Sequence, residues 1–280
     1  MKESEAIDRI IQLAIEEDQG ENGDISSSLI FSEKETAQAV LSAKEDGIVA
    51  GISVASMVLS HFDETAHFQP CVTEGAAIRK GESIATISAS VLTLLSAERI
   101  ILNFMQRMSG IATIAHRYQE ACKGTKCRIL DTRKTVPGLR ILDKMAVRAG
   151  GAYNHRIGLY DMVMLKDNHI KASGSITEAV KKVRESLPLS VKVEVETSNL
   201  NEVAEALEQQ VDIIMLDNMP NEMMAEAVRL IDAQCITEAS GNMTLERIPS
   251  VAALGVDYIS VGALTHSVKA LDISMNFTID

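Results

Sequence analysis

Residues 191–218 read VKVEVETSNLNEVAEALEQQVDIIMLDN, and this stretch predicts a β-strand, an amphipathic α-helix and a second β-strand in succession. The two strand runs, 191–197 and 212–218, are apolar segments bounded by polar residues, as expected for parallel strands that are buried on both faces. A strand–helix–strand unit of this kind is the repeating element of an α/β fold.

The same alternation continues on both sides of this stretch. Four more apolar runs are predicted to be strands, and they span residues 127–132, 161–167, 235–241 and 257–263. Six parallel strands with helices between them fit either an α/β barrel or a doubly wound sheet. No G-x-G-x-x-G sequence follows the first of these strands, which argues against the dinucleotide-binding version of the doubly wound fold.

The first 110 residues follow a different pattern. Apolar residues recur at helical spacing over 7–15, and a second helix is predicted over 96–108. Between these helices lie short β-like runs at residues 37–44, 47–51, 68–72 and 83–88. The sequence therefore predicts a separate α+β unit before the α/β series begins.

The composition of the 280-residue chain is that of an ordinary globular protein, with 46% hydrophobic and 24% charged residues, which excludes a disordered or coiled-coil protein. The net charge of −12 argues against a general nucleic-acid binder or a protein that binds anionic membranes. The longest nearly uncharged run, 47–60, is too short to span a bilayer. The first residues are acidic and the four cysteines form no C-x-x-C pair, so we expect a reduced cytoplasmic protein without a signal peptide or a zinc site.

Polar and charged residues cluster where the predicted strands end. They are Asp131, Arg133 and Lys134 after the first strand, Lys166, Asp167 and Asn168 after the second, Glu196 after the third, Asp217 and Asn218 after the fourth, Ser240 and Gly241 after the fifth, and Gly262 and Ala263 after the sixth. The carboxyl ends of the strands of a parallel barrel open on one face, where the connecting loops build the active site. Six consecutive strand ends of this kind therefore predict a functional site.

Basic residues are concentrated near the first two strand ends, although the protein as a whole is acidic. Residues 131–171 contain eight lysines and arginines and four aspartates. This pattern predicts a small and highly anionic substrate, because arginine binds carboxylates and phosphates through two hydrogen bonds and lysine provides a compact charge. A solvated helix face accounts for Arg140, Lys144 and Arg148, whereas the cations at the strand ends need another explanation. His155 lies in a Gly-rich loop of this segment and is a further candidate.

Two acidic residues stand on the opposite side of the predicted site. Glu196 and Asp217 end neighbouring strands, where two carboxylates are able to ligate a divalent cation or to bind sugar hydroxyls. They are equally able to neutralise the cluster of arginines and lysines, and the spacing does not decide between these roles. The dipeptides at 240–241 and 262–263 precede helix-like segments, so their backbone N–H groups are suited to a phosphate.

Several motifs resemble the signature sequences of the quinolinate phosphoribosyltransferase family, also called the carboxylating nicotinate-nucleotide pyrophosphorylases. They are DTRKTVPGLR at 131–140, NHRIG at 154–158, KDNHI at 166–170, LDN at 216–218, EASG at 238–241 and GALTHS at 262–267. The segments 98–104 and 109–113 resemble the linker helix of the family. The likeness covers nearly the whole chain, and the motifs follow one another in the order of the family.

The resemblance implies a fold and an assembly. Members of the family have an N-terminal α/β sandwich and an unusual α/β barrel, and they form dimers with shared active sites. We therefore predict an α/β protein with an N-terminal α+β sandwich domain at 1–110 and an incomplete parallel α/β barrel at 111–265. The tail at 266–280 is predicted to pack back on the first domain.

The resemblance also implies a reaction. The family joins quinolinate to phosphoribosyl pyrophosphate in the presence of Mg²⁺, releases CO₂ and pyrophosphate, and forms nicotinate mononucleotide on the de novo route to NAD. Quinolinate is a dianion and the cosubstrate carries several more negative charges, which matches the basic segment. The quaternised ring nitrogen stabilises the carbanion that decarboxylation leaves, so no organic cofactor is expected.

The resemblance assigns roles to individual residues. The residues expected to hold quinolinate are Thr132, Arg133, His155, Arg156 and Lys166, with Arg99 contributed by the neighbouring subunit of a homodimer. Those expected to take part in catalysis are Lys134 on the pyrophosphate side, Lys166, and Glu196 and Asp217 at the ribose hydroxyls and, indirectly, the metal. Those expected to surround the 5′-phosphate are Ser240, Gly241, Asn242, Val261, Gly262, Ala263 and His266.

Other interpretations stay open. Asn242 stands in the phosphate loop where the family usually has a second glycine, and asparagine tolerates the left-handed backbone better than most residues. A molybdenum-operon paralogue of the same fold shares many of the motifs and acts on a different substrate. A Schiff-base lyase or aldolase is another alternative, because Lys166 stands at a strand end as such a lysine would. An anion-binding scaffold without activity does not explain why acids and bases are segregated.

Overall fold

The computed structural model describes residues 3–32 and 34–279, so Met1, Lys2, Glu33 and Asp280 lie outside the described residues. The predicted lack of a signal peptide falls partly on the first two of these residues. The chain divides into two compact units. The first unit contains the chain up to His116, the segment Thr135–Gly151 and the residues from Leu264 onward, and the second contains Arg117–Lys134 and Ala152–Ala263.

Helices and strands are numbered here in chain order. The helices are α1 (Glu3–Gln19), α2 (Ile25–Ile30), α3 (Ile52–Phe62), α4 (Val91–Glu120), α5 (Arg140–Ala149), α6 (Asp167–Ser173), α7 (Ile176–Arg184), α8 (Leu200–Glu208), α9 (Asn221–Ile231), α10 (Ile248–Ala252) and α11 (Ala263–His266). The strands are β1 (Thr36–Ala43), β2 (Gly47–Ile48), β3 (His67–Pro70), β4 (Ala77–Ile78), β5 (Ser83–Ser90), β6 (Arg128–Leu130), β7 (Val163–Leu165), β8 (Val193–Thr197), β9 (Ile213–Asp217), β10 (Ile236–Ser240), β11 (Tyr258–Ser260) and β12 (Ile273–Ile279). Among the described residues, no helix combines the length and the apolar character that crossing a membrane requires.

The first unit is built on a four-stranded antiparallel sheet in the order β12-β1-β5-β3. Ala39, Leu41 and Ala43 of β1 are fully buried and alternate with less buried residues, which is the period of a strand with one face toward a core. The last strand in the chain, β12, pairs with β1 over its whole length. A separate two-stranded ribbon joins β2 to β4.

The second unit is built on a six-stranded parallel sheet in the order β6-β11-β10-β9-β8-β7. The first strand of the unit lies beside the last one, which is the order of a barrel that is open between β6 and β7. Val195, Ile214 and Leu216 in the middle of the sheet are fully buried, as parallel strands require. The predicted α/β class, with a parallel sheet and a separate antiparallel sheet, is confirmed.

The domain boundaries drawn from the sequence stay a prediction, and the compact units group one segment differently. The sequence analysis assigns residues 135–151 to the barrel domain, whereas these residues belong to the first compact unit. Within that unit α5 packs against α1, and Asp143 of α5 accepts two hydrogen bonds from Arg107 of α4, at 2.9 and 2.8 Å. Burial raises the pKa of Asp143, and Arg107 opposes this effect. A buried ion pair between distant segments leaves no pattern in the sequence, so the boundary was not predictable.

The prediction of a solvated helix face in α5 is wrong for one of its three cations. Arg148 is half exposed and pairs with Glu3 at 3.2 Å, and Arg140 donates to Thr135 Oγ1 at 3.1 Å. Lys144, however, is only 1% exposed. A charged side chain is buried only where polar or charged groups compensate for the loss of water, so the charge of Lys144 belongs to the interior and not to the surface.

Three helices differ from the sequence prediction. α4 extends well beyond the predicted span of 96–108, and α2 was not predicted. α3 was not predicted either, although Ser53, Ser56 and Ser60 recur at helical spacing on its less buried face. Gly51 precedes α3 with φ +94°, a left-handed conformation that favours glycine. The carboxylate of Glu74 accepts hydrogen bonds from the N–H groups of Gly51 and Ile52, so it satisfies the first turn of this helix from a distant loop.

A prediction about stability concerns Gly110 in α4. A β-carbon at this position would overlap the backbone carbonyl of Lys269, which has little freedom to move. Alanine usually favours a helix over glycine by about 1 kcal/mol, but overpacking of this kind costs about 1–3 kcal/mol and works against backbone here. We therefore expect the Gly110→Ala variant to have a Tm that is lower by about 2–8 °C.

Thermal unfolding at a fixed protein concentration measures this effect. The matched control is His116→Ala, an alanine substitution at an exposed position of the same helix, and its Tm is expected to stay within about 2 °C of the parent. A Gly110→Ala protein that melts at or above the parental temperature would contradict the close approach of α4 and Lys269.

Candidate active site

Most of the predicted site residues lie in the second unit, at the carboxyl ends of its strands. Thr132, Arg133 and Lys134 follow β6, Lys166 follows β7, Glu196 lies near the end of β8, Asp217 ends β9, Ser240 ends β10 before Gly241 and Asn242, and Val261, Gly262 and Ala263 follow β11. The parallel sheet brings these strand ends to one edge. Arg99 and His266 belong to the first unit, and both are exposed.

An ion pair joins two of the predicted residues at this edge. Lys166 Nζ lies 2.9 Å from Glu196 Oε2, with side-chain exposures of 46% and 18%, so both groups are open to a ligand. Glu196 therefore neutralises a lysine in this structure, which is one of the two roles that the spacing left open. The carboxylate engages the amine that a Schiff-base enzyme would need as a free nucleophile.

Two arginines bring like charges close together. Burial and the positive charge of Arg133 lower the pKa of Arg156, while Glu194 acts in the opposite direction. Nη1 of Arg156 donates to the carbonyl oxygen of Met162 at 3.0 Å, which holds the guanidinium in place. Adjacent guanidinium groups favour a ligand with two negative charges, because such a ligand relieves their repulsion.

Asp131 anchors the loop that carries His155. Its carboxylate is fully buried and accepts hydrogen bonds from Asn154 Nδ2 at 2.7 Å and from the backbone N–H of His155 at 2.8 Å. Thr132 Oγ1 accepts a hydrogen bond from the backbone N–H of Lys134 at 3.0 Å, which shapes the turn after β6. The carboxylate of Asp131 therefore joins the end of β6 to the loop that carries His155, and it does not extend into the site.

The loops after β9 and β10 meet at Asn218. Its Nδ2 donates to Asp217 Oδ2 at 2.7 Å, and its Oδ1 accepts a hydrogen bond from Asn242 Nδ2 at 3.4 Å. Gly241 has φ +90°, and a β-carbon there would overlap Asn218, so both the backbone and the space require glycine. Asn242 has φ +49°, which lies in the left-handed region that asparagine tolerates. The departure from the usual two-glycine pattern is thus compatible with this loop.

Arg247 is a further residue of this region, and no motif in the sequence marks it. Its Nη1 donates to the carbonyl oxygen of Gly241 at 3.0 Å, and its Nη2 donates to that of Met219 at 2.8 Å. One guanidinium therefore ties the loop after β9 to the loop after β10. This contact fixes the spacing between Asp217 and the predicted phosphate loop.

Two buried glutamates next to His155 were also missed from the sequence. Glu194 and Glu238 are 0% and 1% exposed, and their Oε2 atoms lie 3.3 and 3.2 Å from His155 Nε2. Burial and the charge of Glu238 raise the pKa of Glu194 to about 7. Burial lowers the pKa of His155, but the two carboxylates outweigh burial and raise it. The spacing in the sequence contained a signal for both glutamates. Each one precedes a predicted site residue, Glu196 or Ser240, by two positions, and residues two apart in a strand point to the same face.

The fold and the site together define an α/β protein with basic and acidic side chains gathered at the carboxyl edge of a parallel sheet. The family model described as the quinolinate phosphoribosyl transferase C-terminal domain matches residues 111–276, and the model of the N-terminal domain matches residues 24–109. These matches span most of the chain. The chain belongs to the quinolinate phosphoribosyltransferase family, and the resemblance found in the motifs is confirmed.

Individual relatives agree with this assignment. The probable nicotinate-nucleotide pyrophosphorylase (carboxylating) of Bacillus subtilis strain 168 is 46% identical, and the alignment covers 92% of this chain and 89% of the relative. The chloroplastic nicotinate-nucleotide pyrophosphorylase (carboxylating) of Arabidopsis thaliana is 46% identical over 95% of this chain and 81% of its own length. The crystal structure of NadC from Streptococcus pyogenes superposes with a TM-score of 0.94 at 41% identity, covering 99% and 98% of the two chains.

Proposed function

We propose that this protein transfers the phosphoribosyl group of phosphoribosyl pyrophosphate to quinolinate and decarboxylates the adduct. The products are nicotinate mononucleotide, CO₂ and pyrophosphate. The observation that carries the proposal is the closeness of two cations, Arg133 and Arg156. They lie at the same sheet edge as the carboxylates of Glu196 and Asp217. Membership of the family and the likeness to carboxylating pyrophosphorylases support it.

Quinolinate binds at the ends of β6 and β7 in this proposal. Arg133, Arg156 and Lys166 receive its two carboxylates, with Thr132 and His155 beside them. Guanidinium groups bind carboxylates through two parallel hydrogen bonds, so they fix the plane of the pyridine ring as well as its charge. Fixing the ring directs the lone pair of its nitrogen toward the ribose.

The phosphoribosyl group lies along the ends of β8 to β11. Glu196 and Asp217 bind its ribose hydroxyls, Lys134 contacts the pyrophosphate, and the 5′-phosphate lies against two backbone segments. The first segment is Ser240, Gly241 and Asn242, and the second is Val261, Gly262 and Ala263. Backbone N–H groups in such loops bind phosphate oxygens without adding another charge.

The chemistry needs placement of charge more than it needs a strong base. The pyridine nitrogen forms a bond to C1 of the ribose while the bond from C1 to the pyrophosphate oxygen breaks, and positive charge develops on the ribose ring. The carboxylates of Glu196 and Asp217 stabilise that charge. The C2 carboxylate then leaves as CO₂, the electron pair is stabilised by the quaternised nitrogen, and a proton from water completes the product.

The residues present fit a magnesium ion. Glu196 and Asp217 offer carboxylate oxygens at neighbouring strand ends, and both side chains are partly exposed. Mg²⁺ prefers oxygen ligands, retains several waters and commonly binds through one or two carboxylates together with substrate phosphates. When bound, the ion supplies neutralising charge to the departing pyrophosphate.

Removal of divalent cations is expected to stop the reaction. We expect excess EDTA to lower the rate at least about a hundredfold, because the pyrophosphate would leave without its counterion. Nicotinate mononucleotide formation is measured with and without chelator, and readdition of Mg²⁺ or Mn²⁺ is the control. Full turnover in EDTA, or a rate restored by zinc alone, would contradict this assignment.

The proposal includes a homodimer in which Arg99 acts in the site of the neighbouring subunit. Arg99 is exposed on α4, in the first unit, whereas the other cations of the site belong to the second unit. An exposed arginine is free to reach another subunit, and the family resemblance supports this role. A cytoplasmic location is proposed from the absence of C-x-x-C pairs and from the bacterial relative, whereas the Arabidopsis relative is chloroplastic by name.

The direct test is incubation of the protein with quinolinate, phosphoribosyl pyrophosphate and Mg²⁺. Formation of nicotinate mononucleotide together with one CO₂ supports the proposal, and its absence with folded protein refutes it. A molybdenum-operon type of paralogue would bind phosphoribosyl pyrophosphate without using quinolinate. A Schiff-base enzyme would be trapped at Lys166 by borohydride with a carbonyl substrate, which the ion pair to Glu196 disfavours.

A further inference from the structure

Two glutamates that the proposed reaction does not use lie inside the second unit, deeper in the sheet than Glu196. Glu194 and Glu238 are buried, and within residues 3–32 and 34–279 neither carboxylate oxygen of Glu194 accepts a hydrogen bond. A buried carboxylate without donors is costly unless opposite charges compensate for it. Here the positive charge of Arg156 compensates for it, together with the N–H edge of the His155 ring, whose Nε2 lies 3.3 Å away.

The composition of this cluster also suits a metal, because one imidazole nitrogen and two carboxylate oxygens lie within 4.8 Å of one another. The geometry of the ring favours another use. The backbone N–H of Arg156 donates to Nδ1 of His155 at 2.7 Å, so in the neutral ring the proton resides on Nε2. A protonated nitrogen has no lone pair for a metal, and this one faces both carboxylates.

The cluster is connected to the substrate-binding residues through the backbone. Asp131 accepts the backbone N–H of His155, and the ring of His155 accepts the backbone N–H of Arg156. Hydrogen bonds therefore fix the peptide groups on both sides of His155. The backbone from which the side chain of Arg156 extends is fixed as a result. Arg133 repels Arg156, so this placement needs the negative charge of Glu194 nearby.

We propose that Glu194 and Glu238 are positioning residues for quinolinate, which hold the ring of His155 and thereby the guanidinium of Arg156 in the orientation that receives a substrate carboxylate. The inference rests on the proposed function, because it names quinolinate as the ligand. Neither glutamate touches the substrate. Their loss therefore acts on quinolinate binding and leaves the binding of phosphoribosyl pyrophosphate in place.

The test is the Kd of quinolinate, measured by calorimetry without cosubstrate, together with the KM of each substrate. Glu194→Leu and Glu238→Leu remove both charge and acceptor, whereas Glu194→Gln and Glu238→Gln keep an acceptor of the same size for the Nε2 proton. We expect the leucine variants to raise the Kd and KM for quinolinate at least about tenfold, with the KM for phosphoribosyl pyrophosphate within about twofold of the parent. Glu238→Gln is expected to recover most of this loss and Glu194→Gln only part of it, because the amide keeps an acceptor but lacks the charge of Glu194 that offsets Arg133.

The matched control is Thr237→Val in β10. Thr237 is buried beside Glu238, points to the opposite face and donates to Asp257 Oδ2 at 2.8 Å, so its loss disturbs the strand without touching the cluster. Its quinolinate Kd is expected to equal that of the parent. If the leucine variants do not fold, Glu238→Asp replaces them, because the shorter side chain withdraws its oxygen from Nε2. This variant is expected to raise the quinolinate Kd about threefold or more.

The outcomes separate the inference from the proposed function. A parent protein that neither binds nor converts quinolinate refutes the proposed function. A parent that binds quinolinate, with folded leucine or aspartate variants that bind it equally well, overturns only the positioning role. Parallel rises in the KM of both substrates would also overturn it, because they indicate a general structural defect. A stoichiometric metal that disappears in Glu238→Gln would do the same.

Discussion

Quinolinate is expected to be used about a thousandfold more efficiently than nicotinate, measured as kcat/KM. Nicotinate lacks the carboxylate next to the ring nitrogen, so it offers the cations of the site one negative charge fewer. Arg133 already lies close enough to Arg156 to lower its pKa, and Arg156 is partly buried. Like charges held near each other gain more from a dianion than from a monoanion, and the difference appears as lost affinity for the smaller anion.

Both acids give the same mononucleotide, so one assay of that product compares them directly at saturating phosphoribosyl pyrophosphate. Arg156→Met is the informative variant, because it removes a charge that only the dianion uses fully. We expect it to lower kcat/KM for quinolinate much more than for nicotinate, so the ratio between the two substrates shrinks. Similar efficiencies with both acids in the parent protein would exclude this use of the cations.

Mixed dimers are expected to recover about a quarter of the parental activity from two inactive variants. In the proposed assembly Arg99 and Lys134 of one site come from different subunits. Arg99→Ala and Lys134→Ala homodimers should each be nearly inactive, because each loses a charge contact to a polyanionic substrate. In a hybrid dimer one site lacks both groups and the other is intact. With random exchange, roughly half of the dimers are hybrids, and each carries one good site of two.

The experiment mixes the two variants after partial denaturation and follows activity together with subunit exchange by mass spectrometry. Each variant treated alone is the control, since refolding by itself must restore nothing. If exchange is complete and the mixture stays as inactive as its parents, Arg99 acts within its own subunit or not at all. The shared site would then be wrong, although quinolinate would still be the substrate.

The alternating part of the fold was readable from the sequence because its strands are buried on both faces. Each predicted strand run between 127 and 263 contains an observed strand. A continuous apolar run of that length is typical of a strand that is buried on both faces. The helix α3 was missed although Ser53, Ser56 and Ser60 recur at helical spacing on its less buried face. The grouping of residues 135–151 with the first unit was not predicted either. It depends on the ion pair between Asp143 and Arg107, which are distant in the sequence.

The candidate residues found from the sequence lie at strand ends, and those inside the strands were missed. Strand ends are marked by a change from apolar to polar residues, so Lys166, Glu196 and Asp217 were visible. Glu194 and Glu238 stand inside strand runs, where a charged residue looks like an interruption of the pattern and not like part of a site. Arg247 binds two carbonyl groups that are distant in the chain, and no local pattern records such a contact.

The pairing of β12 with β1 has a consequence for how the protein is made. β1 ends at Ala43, whereas β12 begins only at Ile273, so the second of these neighbouring strands leaves the ribosome long after the first. Until then one edge of β1 offers unpaired N–H and C=O groups, which is the kind of surface that invites association with other nascent chains. The second unit, between Arg117 and Ala263, emerges in the meantime with all of its strands. The first sheet is thus completed late. Until then chaperones are able to act on the unpaired edge of β1.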